Sequence, residues 1–296
     1  MSPADVRFLE RDGWAVAYRR TGDGPPLVLL HATLSSSAQL RSLADRLAAS
    51  FTVIAVDRRG SADSQPPGAS VVGPIDVAVH VADLAAILAA ERVGPALAVG
   101  HSYGGCLALE LAARRPELVG GCWVYEPPYA PVGPPGVRRA LANVARRTAA
   151  AGRGAGPGAA AEAFLEAVAG PRALDALSPG ARARVRLAGP AALADAALAG
   201  LDPAGLGRIR CRVVVASGTA SAPVYAEIAS ALVERIPDAA HERLEGAVHG
   251  APISNPGVVA DAIEAFAGGR PPTGDRGRIR PGDRSSPRPR TGSPER

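Results

Sequence analysis

The stretch Gly100-His101-Ser102-Tyr103-Gly104-Gly105 follows the apolar run "PALAV" and opens an amphipathic helical pattern. A serine at such a strand-to-helix turn is held exposed in a strained backbone, and the small residues on either side let strand and helix approach. The helix N-terminus adds the positive end of its dipole near the place where an oxyanion would form. A serine hydroxyl needs a base to act as a nucleophile. Of the five histidines, His249 alone has the context for one: it lies in "LEGAVHGAP", after the last short strand and before the closing helix. His101 is expected to point into the scaffold, His80 to lie on a polar helix face, and His241 to precede a strand on the solvent side. His31 ends "PPLVLLHA", where a strand opens into a Ser-rich loop, so it is expected to brace that loop. The backbone N–H groups of Thr33 and Tyr103 are then the candidates to hold one developing oxyanion.

These residues act together only if a scaffold brings them to one place. Short apolar runs ("PPLVLLHA", "FTVIAVD", "PALAVGH", "CWVYE", "CRVVVAS", "ERLEG") alternate with helical patterns expected over 40–49, 77–90, 103–115 and 256–267. Continuous apolar runs of this kind suit strands buried on both faces of a parallel sheet, which predicts an α/β fold with a mostly parallel, doubly wound sheet. Between 128 and 206 the pattern changes to Ala-rich helices broken by "GRGAGPG", "GPRALDALSPG" and "AGP", which reads as a helical cap inserted into the core. The expected organisation is a core in two parts, 1–127 and 207–268, a cap over 128–206, and a Pro-, Gly-, Ser- and Arg-rich tail over 269–296 that is expected to be disordered. Phe164 and Leu165, on the most apolar cap helix, are candidate substrate-binding walls, with ordinary packing as the alternative.

Composition narrows the function. The 296 residues, 47% hydrophobic, are enough to bury a large core. The net charge of +5 resides in residues 270–296, where eight Arg face Asp275, Asp283 and Glu295; residues 1–269 are neutral, which argues against nucleic acid as a partner. Cys106, Cys122 and Cys211 lack metal-ligand spacing and read as buried thiols in a reducing, cytoplasmic setting. No segment approaches the ~18 apolar residues of a membrane span, and no secretory leader is legible at the N-terminus. No dense Cys/His/Asp cluster points to a metal, and no organic cofactor is implied.

From about Trp14 to Ala267 the chain resembles the α/β-hydrolases with a G-H-S-x-G-G elbow and a helical cap. "LLHAT", "VDRRGSADS", "GHSYGG", "YEPP" and "GAVHGAP" carry the resemblance, with Ala32 and Ala62 where the family has glycines. It implies a serine nucleophile at Ser102, a base at His249 and an oxyanion-loop N–H at Thr33. The family commonly places its catalytic aspartate after the strand "CRVVVAS", where Gly218, Thr219, Ala220, Ser221 and Ala222 offer no carboxylate; Asp57 and Asp63 lie in a scaffold turn. Glu126 is the candidate acid instead. It ends the strand after the elbow helix, whose C-terminal end opens onto the edge where sites of this architecture collect, although a solvated strand end is the plainer reading of such a residue. The function implied is hydrolysis of an ester, thioester or lactone of a small apolar substrate through an acyl-enzyme. A lyase, perhydrolase or cofactor-free oxygenase on the same triad, or an inactive ligand-binding relative, are the alternatives. Oligomeric state is not legible.

Overall fold

The computed structural model describes residues 6–64 and 74–270. Among these residues eight strands form one sheet: β1 (Val6–Arg11), β2 (Trp14–Thr21), β3 (Pro26–Leu30), β4 (Thr52–Val56), β5 (Ala96–His101), β6 (Val119–Tyr125), β7 (Val213–Gly218) and β8 (Ala239–Leu244). Their spatial order is β1-β2-β4-β3-β5-β6-β7-β8. β2 pairs antiparallel with β1 and β4, and every other pairing is parallel. The β1–β2 hairpin lies outside the apolar runs that mark the other strands. Its signal is the dipeptide Asp12-Gly13, both left-handed (φ 50° and 76°), which joins Arg11 to Trp14 through a two-residue turn.

Among the described residues ten α-helices accompany the sheet: α1 (Arg41–Leu47), α2 (Val77–Ala90), α3 (Tyr103–Arg114), α4 (Pro135–Ala155), α5 (Pro157–Ala169), α6 (Pro179–Leu187), α7 (Gly189–Asp195), α8 (Pro223–Val233), α9 (Ala251–Ser254) and α10 (Pro256–Ala267). Alternate residues of the parallel strands supply two cores. Val28, Leu30, Ile54, Val56, Val213 and Val215 pack with α2, α3 and α8; Leu27, Leu29, Val53, Ala55, Val214 and Ala216 pack with α1 and α10. The strands therefore read as unbroken apolar runs because both faces are buried. Helices α4 to α7 all lie between β6 and β7, with α5 packed against α4, α6 and α7. Of the tail expected to be disordered, only Gly269 and Arg270 fall among the described residues.

Candidate active site

The chain winds from β3 outward to β4 on one side and, after α2, from β5 outward to β8 on the other. That reversal opens a crevice at the carboxyl ends of the strands. Each candidate residue follows a strand at that edge: Thr33 follows β3, Ser102 β5, Glu126 β6 and His249 β8.

Ser102 occupies a left-handed backbone (φ 53°, ψ −122°), a conformation that non-glycine residues hold only under constraint from their surroundings. Its N–H donates to the Tyr125 carbonyl at 2.8 Å, while its own carbonyl accepts the Gly105 N–H at 2.8 Å as α3 begins. The turn needs glycines on both sides. A Cβ at Gly100 would sit 2.2 Å from the Gly104 carbonyl oxygen, and one at Gly104 would sit 2.4 Å from that of Leu30. The Ser102 hydroxyl makes no hydrogen bond to the described residues. Catalytic hydrogen bonds of unliganded sites commonly tighten only with substrate.

Glu126, also left-handed (φ 49°), is fully buried. Each carboxylate oxygen has one donor: Oε1 accepts the Gly218 N–H at 2.8 Å and Oε2 accepts His249 Nδ1–H at 2.6 Å. With its Nδ1 proton committed to Glu126, neutral His249 presents Nε2 as a free base. The imidazole stacks on the Tyr225 ring at 4.5 Å and 7°, and the Tyr125 hydroxyl donates to the Val248 carbonyl at 2.8 Å, fixing the loop one residue before it. His101 packs against His249 at 4.9 Å; burial and its neighbour push its pKa well down, so it stays neutral beside that ring. Tyr225 lies in no motif and carries no distinctive sequence signal.

In the loop after β3, the Ala32 carbonyl accepts His31 Nδ1–H at 2.7 Å, the Ser35 N–H at 3.2 Å and Arg58 Nη2 at 3.3 Å. In a trans peptide C=O and N–H point in opposite directions, so these contacts turn the Thr33 N–H away from His31. Neither the Thr33 nor the Tyr103 N–H finds an acceptor among the described residues. His31 thus braces the loop, and burial with the nearby Arg58 charge keeps it neutral. Ala32 does not occupy a left-handed conformation; Leu34 does (φ 61°), so the family's glycine is dispensable at 32. Ala62, the other replacement, does adopt the glycine-like conformation (φ 44°).

A cavity of about 490 Å³ joins these parts. Thr33, Ser102, Tyr103 and His249 line it, and Phe164 and Leu165 of α5 form part of its wall. Leu141, Val144, Leu177 and Ile253 continue an apolar lining. Two expectations fail. His80 is buried, edge-on to the Tyr103 ring at 6.2 Å, because α2 is apolar nearly all round and has no distinct polar face there. His241 lies within β8, buried, 2.8 Å from Ser217 Oγ. Cys106 and Cys122 are buried, which pushes their thiols well up; the half-buried Cys211 thiol rises to about 11.

Residues 25–149 match the model of the α/β hydrolase fold family. A soluble epoxide hydrolase of Corynebacterium sp. is 36% identical over 108 residues, 36% of each chain. An α/β hydrolase structure from Sphaerobacter thermophilus is 30% identical with a TM-score of 0.66, over 88% of this chain and all of that one. An esterase structure from a Rhodococcus species is 26% identical with a TM-score of 0.67, over 89% and 98%. The chain spans about a third of the length of the curated relatives it matches, 34% for the first of them.

Proposed function

The chain belongs to the α/β-hydrolase family, and from that premise we propose that it is a serine hydrolase cleaving an ester, thioester or lactone of a small apolar molecule. The observation that carries the reading is the buried Glu126 carboxylate 2.6 Å from His249 Nδ1, with Ser102 on the same cavity. Ser102 Oγ attacks the acyl carbon while His249 Nε2 takes its proton. The oxyanion forms against the N–H groups of Thr33 and Tyr103, and Glu126 stabilises the imidazolium. The tetrahedral intermediate collapses as His249 returns the proton to the leaving group, giving acyl-Ser102. Water, deprotonated by His249, then attacks the acyl carbon; the acyl–Oγ bond breaks as His249 returns that proton to Ser102 Oγ, releasing the acid and the free serine. The chain supplies nucleophile, base, acid and oxyanion donors, so these steps require no metal or organic cofactor.

The apolar walls at Phe164 and Leu165 favour an apolar acyl or alcohol group. The family resemblance to an esterase and the absence of charge on most of the lining support hydrolysis over the other reactions this fold hosts. The proposal includes a cytoplasmic setting, supported by three free cysteines; among the described residues no helix is long and apolar enough to cross a membrane. The test is labelling with a fluorophosphonate probe beside turnover of short p-nitrophenyl esters. Wild type is expected to label at Ser102 and turn over, and Ser102→Ala to do neither, with a kcat loss of about 10⁴-fold or more. An unlabelled wild type would leave a ligand-binding relative that has lost catalysis.

A further inference from the structure

The Ala32–Thr33 peptide is also gripped from outside the α/β core. Thr33 Oγ1 donates to Asp195 Oδ2 at 2.9 Å, and Asp195 is the last residue of α7, in the insertion. Both Asp195 oxygens accept from Arg58, Oδ1 from Nη1 at 2.8 Å and Oδ2 from Nη2 at 2.9 Å, and Arg58 Nη2 also reaches the Ala32 carbonyl at 3.3 Å. The same guanidinium lies 4.8 Å over the ring of Tyr103, the second oxyanion residue. Both partners of the pair are about 1% exposed, where the cost of desolvating two charges offsets most of their attraction. An apolar contact would join the two parts at lower cost. What the carboxylate supplies and an apolar group does not is direction: one hydrogen bond to the Thr33 side chain and, through Arg58, a hold on the Ala32 carbonyl.

Resting on the reading of the Thr33 N–H as an oxyanion donor, we propose that Asp195 is a positioning residue through which the insertion aims that donor. With α7 seated, Asp195 holds the Thr33 side chain directly and the Ala32 carbonyl through Arg58, so the peptide between them has one orientation. With Asp195 withdrawn, the Ala32 carbonyl keeps His31 and Ser35 but Thr33 loses its anchor. The hole is then complete only under a seated insertion, which is the arrangement that also encloses substrate in the cavity.

The experiment compares Thr33→Val, isosteric but without the donor, with Thr33→Ser, which keeps it. Neither change removes a partner from the Arg58–Asp195 pair. For a short p-nitrophenyl ester, Thr33→Val is expected to lower kcat by about tenfold to a hundredfold, with KM within about twofold. Affinity for a small alkyl boronic acid, which forms a tetrahedral adduct on an active serine, should fall by the same factor. Thr33→Ser should restore both, and the melting temperature should barely move in either. In an Asp195→Asn background Thr33→Val should add little further loss; if that background fails to fold, the Thr33 pair decides alone. Wild-type kcat and boronate affinity in Thr33→Val would overturn the proposal, as would a loss that Thr33→Ser does not recover. A Ser102→Ala control separates the two levels. If it keeps turnover, the acyl-transfer reading itself fails; if it is inert while Thr33→Val is normal, only the positioning role fails.

Discussion

The sheet with its flanking helices and the four inserted helices hold together by different means. The sheet buries Leu27, Leu29, Leu30, Ile54 and Trp123 almost completely between helix layers, and it carries Ser102, Glu126 and His249 at the ends of its strands. In the insertion α6 buries no residue, α5 buries Ala160 and Ala161, and Leu187 is 75% exposed. Its attachments to the core include single polar contacts. Glu110, fully buried on α3, accepts the Tyr129 hydroxyl at 2.5 Å and the Asp202 N–H at 2.8 Å, on either side of the inserted helices. Arg114 holds the Gly200 carbonyl at 2.7 Å, and Arg58 holds Asp195. Apolar packing stabilises in proportion to area and has no direction, whereas hydrogen bonds add little net stability but fix orientation. The core is therefore where stability resides, and the proposed function assigns selectivity to the insertion that walls the cavity.

The largest expected contrast is in stability. Leu29→Ala, deep between the sheet and α1, should cost about 3 kcal/mol from lost burial and the cavity left behind, whereas Leu165→Ala should cost less than about 1 kcal/mol. Denaturant unfolding of both variants measures the difference, and equal losses would break the distinction. Acid sharpens it. His31, His80 and His101 all sit in the core, and burial pushes the pKa of each well below the ordinary value. The unfolded chain therefore binds more protons below about pH 6.5. The stability from keeping these rings neutral is present above that value and is lost as pH falls through it, by about 1 kcal/mol for each ring between pH 7.5 and 5.5. Chemical denaturation at those two pH values checks it, with His80→Asn expected to flatten the slope. The smallest effect is in selectivity: Leu165→Ala should change the ratio of kcat/KM between short and longer acyl esters by about tenfold, the worth of one or two methylenes. A uniform change across acyl lengths would assign Leu165 to packing alone.

The same contrast decided what the sequence revealed. Strands β3 to β7 were legible as apolar runs because both their faces are buried, and α2 and α10 have the bounds their patterns indicated. β8 begins before "ERLEG", at Ala239, since Ala239-Ala240-His241 lacks the branched residues that mark a strand. In α2, "VAVHVADLAAILAA", apolar residues wrap the whole helix, so spacing did not reveal that His80 and Asp83 face inward. Ser102 and His249 stand out through local motifs, and Glu126 through its place at a strand end. The Arg58–Asp195 pair was not legible: its members are 137 residues apart, and nothing local to "DRRG" or "ALAD" specifies a partner. Nor did the spacing show that Ser102, Glu126 and Leu34 share left-handed backbones, a property of how loops are held rather than of their composition.

The account turns on the carboxylate after β6 rather than β7. Glu126→Gln keeps the size of the side chain and its acceptor toward the Gly218 N–H, but it removes the charge that, in the proposed mechanism, holds the His249 tautomer and stabilises the imidazolium. Measured as kcat on a short p-nitrophenyl ester, with the melting temperature as a control on folding, this variant is expected to lose about 10³- to 10⁴-fold while remaining folded. Turnover close to wild type in a folded Glu126→Gln protein would contradict the account.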